Sequence, residues 1–425
     1  MSRTIERSLD LYNRAVKVIP GGAQTLSKQY GRMIQGISPP MIEYGEGCKV
    51  WDYDDNEYID WTASLGPIVL GYEYFDIGIF YRDYDPPDQV LLPMTNHLEV
   101  ELAEKLVDII PSAEMVRFFK SGSDATSAAV RLSRAIKNKS NVICSGYHGW
   151  SDWYACTLPE PRRKGTLYST DYWNTFKINY GDLIELEYRF SSEKIACFIL
   201  EPMNRQCPEK ASRDYLIGVR KLCDKYGVIL IFDEMIMGFR YAMAGGEEYF
   251  GVTPDLSCYG KAIANGFPLA ALTGKRELMK EIEHLQVSGT NFGELLSIKA
   301  ALETIKIIEK ENVIDYLWFI GNRLSYDIKR LISNYNIGEL VYLKGFGPWH
   351  SLVWADGASI QQNYFLQEMA KGGILYNRDF FSMLSHTDED VKKTISVIER
   401  IFDTISGGGD LVLEGGAVNT DLFPR

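Results

Sequence analysis

Residues Val228 to Arg240 read VILIFDEMIMGFR, and Asp255 to Pro268 read DLSCYGKAIANGFP. The first stretch opens with an unbroken apolar run, Val228 to Phe232, that stops at two acids, Asp233 and Glu234. A buried parallel strand ends in this way when it delivers a carboxylate to the mouth of its sheet. The second stretch is a short strand, Asp255 to Tyr259, that breaks at Gly260 and presents Lys261 ahead of small residues and a Gly266-Phe267-Pro268 turn. A lysine beside a glycine after a strand is a candidate Schiff-base nucleophile.

Taken as a pair, the two residues carry more than either alone. Pyridoxal phosphate needs a lysine amine for its aldehyde and a carboxylate that keeps its pyridine nitrogen protonated, so that the ring can act as an electron sink. Lys261 and Asp233 fit those roles. A single charged residue at a strand end is ordinarily just solvated, so the pairing bears the weight.

The chain around this stretch has 425 residues, 46% hydrophobic and 12% aromatic, enough for two or three domains. Its net charge of −12, from 45 basic and 57 acidic residues, opposes nucleic-acid binding, and no basic run compensates. The seven cysteines show no zinc or CxxC spacing and read as reduced core residues of a cytoplasmic protein. The first twenty residues are charged throughout and predict an amphipathic helix ahead of Pro20-Gly21-Gly22, and no run is long enough to span a bilayer. Residues 406–418, SGGGDLVLEGGAV, read as a wrapped or mobile tail.

Between these ends the pattern is regular. Glu43 to Tyr72 alternates and turns at Asp54-Asp55-Asn56, predicting an antiparallel meander. From Asn96 the chain reads helix, then strand and helix in alternation, with strands over Met115–Phe119, Val142–Cys144, Ala196–Leu200, Val228–Phe232 and Ala270–Thr273. Such recurrence predicts an open α/β sheet with its site at the carboxyl edge of the strands. No GxGxxG follows a strand and no GxxxxGK occurs, so dinucleotide and Walker-type phosphate sites lack support.

Several polar groups gather at the predicted strand ends. Ser121-Gly122-Ser123 turns a strand into a helix, where free amides and the helix dipole favour an anion; the turn reads equally as a phosphate cradle and as a serine N-cap. Tyr147, in Tyr147-His148-Gly149-Trp150, either lies flat on a cofactor ring or closes a core. Glu201 and Asn204 follow the next strand, and Thr290 in Ser288-Gly289-Thr290 is either a phosphate donor or an ordinary loop residue. Beyond Ile314 a helix, strands around Gly345-Phe346-Gly347 and a last helix capped by Thr387 and Asp390 form a smaller α+β lobe.

The motifs SGSDATSAAVRLSRA, YHGW, EPMN, FDEMIMGFR, YGKAIANGFPLAA and SGTNFGE stand in an order and at intervals that resemble the class III pyridoxal-phosphate aminotransferases of fold type I. The likeness runs from PGGAQT near Pro20 to SHTDED near Asp390 and is nearest to the branch holding glutamate-1-semialdehyde 2,1-aminomutase and its relatives from sugar and polysaccharide pathways. It implies a large domain over 66–315 with a mostly parallel sheet, and a small lobe built from both chain ends, 1–65 and 316–425. It implies Lys261 as the Schiff-base and proton-shuttling lysine and Asp233 as partner of the pyridine nitrogen. Ser121, Gly122 and Ser123 would hold the phosphate, Tyr147 would stack on the ring, and Glu201 and Asn204 would stand near it, although the loop after them is shorter here. Thr290 would reach the phosphate of a neighbouring subunit's cofactor, which implies a homodimer.

Where the aminomutase has a tryptophan before Gly-Pro this chain has Leu65, where it has an arginine after Gly-Gly this chain has Lys28, and its late active-site glutamate aligns with Arg378. Lys28 and Arg378 are therefore candidate substrate residues favouring an anionic ligand, unless the alignment slips and both are surface residues. The expected reaction is transamination from a donor such as glutamate to a carbonyl of a sugar or small phosphorylated metabolite. Intramolecular amino transfer of the aminomutase type and decarboxylation on the same scaffold are the alternatives.

Overall fold

In a computed structural model, which describes residues 3–74, 90–166 and 174–418, the meander is made of β1 (Ile42–Glu46), β2 (Lys49–Asp52) and β3 (Glu57–Asp60), paired antiparallel. Its tight turn is built by Asp52, whose Oδ1 accepts the amides of Asp54 (2.9 Å) and Asn56 (3.0 Å). The chain divides into two units, Met1–Phe75 with Asp315–Arg425, and Asp76–Ile314.

The unit Asp76–Ile314 contains β4 (Met115–Phe119), β5 (Asn141–Ser145), β6 (Thr175–Lys177), β7 (Ile195–Leu200), β8 (Ile229–Asp233), β9 (Leu256–Tyr259) and β10 (Ala270–Gly274). They form one sheet in the order β4-β10-β9-β8-β7-β5-β6, parallel except for β10, which runs antiparallel to both neighbours. Every residue of β7, β8, β9 and β10 is buried, as expected of central strands covered on both faces. The helix Gly122–Lys137 supplies one cover, laying Ala125, Ala128, Ala129 and Leu132 against the sheet core with Val142, Ile199 and Ile231. Helices Leu183–Ser192 and Arg213–Tyr226 return the chain between strands, and β6 is only three residues, too short for its period to show in the sequence.

The other unit adds β11 (Val341–Phe346), β12 (Trp349–Trp354), β13 (Ile374–Leu375) and β14 (Asp379–Phe381). Strand β13 joins the meander parallel to β3, and β11, β12 and β14 form a separate sheet. The core between them centres on Trp61, Ile320, Phe365 and Ile398, and the Trp61 Nε1–H donates to Thr394 Oγ1 at 3.0 Å. The last helix, Asp388–Ser406, starts in the expected capping box of Thr387 and Asp390. The glycine-rich stretch 406–418 wraps onto this unit, held by side chains of the helix Ser359–Lys371. Buried Gln367 donates to Val412 O (3.0 Å) and accepts from Glu414 N (2.8 Å), while Asn363 Oδ1 accepts from Val418 N (2.8 Å).

Candidate active site

Two adjacent acids end β8, and their partners separate their roles. Glu234 is fully buried and its two oxygens accept the amides of Gly246 (2.7 Å) and Glu247 (3.0 Å), pinning that loop to the strand end. Asp233 has Oδ2 against His148 Nδ1 at 2.7 Å, and Oδ1 accepts from Met235 N at 3.2 Å. Of the pair, Asp233 is thus the carboxylate held in a fixed direction at the sheet's carboxyl edge.

Lys261 follows β9 through Gly260 and sits at φ +47°, a left-handed conformation that costs a non-glycine residue about 1–3 kcal/mol. Burial, with Arg205 adding to it, lowers its amine to about 8, against the opposing charges of Asp233 and Glu201; buried Arg240 pushes in the same direction as Arg205. Depressed lysines of this kind keep a useful neutral fraction near physiological pH.

Met235 ties this lysine to the Ser121–Ser123 turn. A Cβ placed on Gly260 would lie 2.6 Å from Met235 Sδ, and one on Gly122 2.8 Å from the same sulfur. A side chain at either glycine would have to displace the Met235 thioether, which lies against both the lysine turn and the helix start. Ser121 caps its own helix, accepting Asp124 N at 3.2 Å, whereas the amides of Gly122 and Ser123 have no partner among the described residues. Two free amides at the start of a sixteen-residue helix form a ready anion cradle.

The YHGW segment closes over the same edge. Thr126 Oγ1 donates to His148 O at 3.0 Å, and Trp150 N donates to Ser123 Oγ at 3.3 Å, so the segment is fastened to the helix that begins at Gly122. Tyr147 is 56% exposed while its amide donates to Glu201 Oε2 at 3.2 Å. Glu201 is buried, and burial raises its carboxyl against the pull of Arg205. Asn204 is buried as well, but its Oδ1 accepts Gln206 N at 2.8 Å and it faces a cavity at the ends of β5 and β6.

Thr290 is exposed in a turn that Phe292 and Glu294 anchor to the end of β4, by a ring contact with Phe119 at 4.9 Å and an ion pair with Lys120 at 2.9 Å. Lys28 and Arg378 belong to the other unit. Lys28 Nζ donates to Ser64 Oγ at 2.7 Å, and burial lowers its amine despite Asp60. Asn377 Nδ2 donates to Ser27 O at 3.2 Å, which joins the residue before Arg378 to the residue before Lys28. Ala63, Ser64, Leu65 and Arg378 all have φ between +45° and +74°, a concentration of left-handed non-glycine backbone at one place.

The sequence reading assigned no role to His148, Arg205, Arg240 or Met235. The motif YHGW displayed the histidine, but its partner Asp233 is 85 positions away and meets it only because β5 and β8 share a sheet edge. Together, the cradle of amides, the oriented carboxylate and the depressed amine are the donor set that pyridoxal phosphate requires, an anion site, a counter-charge and a nucleophile.

Comparison with known proteins agrees. The family model "Aminotransferase class-III" matches residues 34–402. A 3-aminobutyryl-CoA aminotransferase of Cloacimonas acidaminovorans is 32% identical over 420 residues, covering 93% of this chain and 96% of that protein. A glutamate-1-semialdehyde 2,1-aminomutase of Chlorobaculum tepidum is 33% identical over 424 residues, covering 92% and 96%. Among solved structures, the PLP internal aldimine form of the FumI protein of Sphingopyxis sp. MTA144 superposes with a TM-score of 0.82 at 26% identity, covering 94% of this chain and 96% of that one. A chain matched over this much of its length, with that donor set at the edge of its sheet, belongs to the class-III aminotransferases, enzymes of fold type I that work with pyridoxal phosphate.

Proposed function

We propose that the protein moves an amino group from an amino-acid donor such as glutamate to a carbonyl of a sugar or small phosphorylated metabolite. The observation that carries this reading is Lys261, its amine brought down to about 8 beside the Asp233–His148 pair. Bound pyridoxal phosphate supplies the electron sink. Lys261, neutral in a substantial fraction near pH 8, takes the proton from the donor's α-carbon and returns one to the acceptor's. Asp233 would pair with the pyridine nitrogen, kept aimed by its 2.7 Å contact with His148 Nδ1. The amides of Gly122 and Ser123, with Ser121 and the Ser123 hydroxyl, would hold the phosphate, Tyr147 would lie on the ring face, and Glu201 and Asn204 would border it.

Lys28 and Arg378 are the proposed substrate cations. Their proximity in the backbone and the strained residues beside them support a recognition role, and two cations favour an anionic substrate. A homodimer in which Thr290 reaches the partner's cofactor is supported by its exposure and by the exposed apolar residues Val90, Leu91, Met94, Val100 and Val107 of the same unit. Free cysteines throughout fit a cytoplasmic protein, and among the described residues no helix is long and apolar enough to cross a membrane.

The test is a half-reaction screen. Holoenzyme is mixed with single amino donors while its visible cofactor absorption is followed. Discharge by glutamate or another donor, with release of the matching oxo acid, is expected; discharge by none of them overturns the reading. The likeness to glutamate-1-semialdehyde aminomutases favours one second reading, intramolecular transfer, in which the screen would fail while a single amino-carbonyl substrate is isomerised.

A further inference from the structure

On the far side of Asn204 from the residues proposed to hold the cofactor, the Asp76–Ile314 unit holds a second polar hollow. Its volume is about 720 Å³, within the usual range of small-molecule sites, and it opens at the carboxyl ends of β5 and β6 beside the loop that follows β7. Ser145, the last residue of β5, is 1% exposed and its Oγ has no hydrogen-bond partner among the described residues. Asn204 is 3% exposed; its Oδ1 is taken by Gln206 N, and its Nδ2 has no partner among the described residues. One enclosed hydroxyl and one side-chain amide thus line the hollow without acceptors among the described residues. Groups of this kind are ordinarily satisfied, and leaving one unpaired costs about 1–3 kcal/mol.

The charges lining the hollow point the same way. Lys177 ends β6 and Lys210 closes the loop after β7, and neither forms an ion pair with any described residue. Gly181, at φ +90°, makes room for the second of them: a Cβ there would come within 3.2 Å of Lys210 Cδ, so the lysine stem lies across the glycine. Asp182 is the one carboxylate in the lining, and its Oδ1 is engaged by Glu185 N at 2.8 Å as the cap of the helix Leu183–Ser192. The hollow therefore offers two ammonium point charges and two neutral donors to whatever enters it. Lysines suit the spherically spread charge of a phosphate, whereas a lone carboxylate is better matched by the planar fork of arginine.

We propose that this hollow is a phosphate subsite, taking the phosphate or diphosphate group of a phosphorylated or nucleotide-linked ligand on Lys177, Lys210, Ser145 and Asn204. It rests on the aminotransferase reading only for the identity of that ligand as the amino acceptor. A volume several times that of one phosphate leaves room for the sugar or nucleoside attached to it.

The experiment titrates the holoenzyme with inorganic pyrophosphate by calorimetry, beside a Lys177→Gln/Lys210→Gln variant and a Ser145→Ala variant, each checked by its melting temperature. Loss of two charge-assisted bonds predicts at least about 100-fold weaker binding in the double variant. Absence of pyrophosphate binding, or equal binding by wild type and double variant, overturns the subsite. The source of the phosphate is read separately. A raised KM for a phosphorylated acceptor with an unchanged donor half-reaction assigns it to the substrate, and an unchanged KM assigns the subsite to a free phosphate ligand. If no donor discharges the cofactor, the aminotransferase reading fails while the calorimetric result stands.

Discussion

His148 Nδ1 and Asp233 Oδ2 meet at 2.7 Å inside the protein, with both residues no more than 3% exposed. The other ring nitrogen, Nε2, is buried without a partner among the described residues. The ring's polar contact among the described residues is thus the one to Asp233, and it fixes the direction of that carboxylate. Replacing Asp233 by Asn keeps the shape and removes the charge. Turnover is expected to fall by orders of magnitude with the melting temperature little changed. A variant within about threefold of wild type, a difference of about 0.7 kcal/mol, would make Asp233 a structural residue.

Lys261→Ala is expected to abolish turnover while the folded protein still takes up the cofactor non-covalently; retained activity would remove the assignment. The native amine, at about 8, sets a pH dependence. The neutral amine is the reactive form, so the rate at which cofactor-free protein captures pyridoxal phosphate should rise with pH and level off above about 8. Arg205 is the leading charge that depresses this amine, and Arg205→Gln should move the midpoint upward. For stability the sign follows from the unfolded value of 10.5, above the folded one. The unfolded chain holds more protons between the two, so the burial penalty on Lys261 is relieved as pH climbs through that window.

Gly260→Ala places a methyl 2.6 Å from Met235 Sδ. The displaced thioether must push either the lysine turn or the helix start at Gly122, so the variant should bind cofactor more weakly, measured by its dissociation on dilution. Met235→Ala in the same chain opens space and should restore part of the affinity. No difference between the single and double variants would show that the sulfur does not couple the two turns.

Arg378→Ala is expected to raise KM for the anionic substrate roughly 10- to 150-fold, the loss of one charge-assisted hydrogen bond of about 1.5–3 kcal/mol, with little effect on an uncharged analogue. Equal losses for the two compounds would take Arg378 out of substrate recognition. Its left-handed backbone, φ +74°, makes Arg378→Gly the conformational control, since glycine keeps that turn without strain.

Much of the sheet was legible because its strands are buried on both faces and announce themselves as unbroken apolar runs, as Ile195–Leu200 and Val228–Phe232 do. Caps were legible for a local reason: Thr387 and Asp390 satisfy each other within one turn. The helix Ser359–Lys371 went unread because its apolar residues do not keep to one face; it buries Asn363 and Gln367, whose partners are backbone groups of the tail. The same stretch of tail was left open between wrapped and mobile because its glycines were visible and the amide that grips it, almost fifty positions earlier, was not. Lys261 and Asp233 stood out since each ends a strand, whereas the pairing of His148 with Asp233 and the wedge of Met235 between two glycines depend on sheet order, which no local pattern encodes.

The bond from Trp61 to Thr394 spans 333 positions. Part of the core that encloses Trp61 emerges from the ribosome long after the meander has been made. At about 5–20 residues per second this is a wait of roughly 17–67 s, during which the early strands lack most of their apolar partners. The sheet from Met115 to Gly274 draws only on contiguous chain and can close in the meantime. The meander thus depends for its core on distant chain, whereas the large sheet finds its partners close by in sequence.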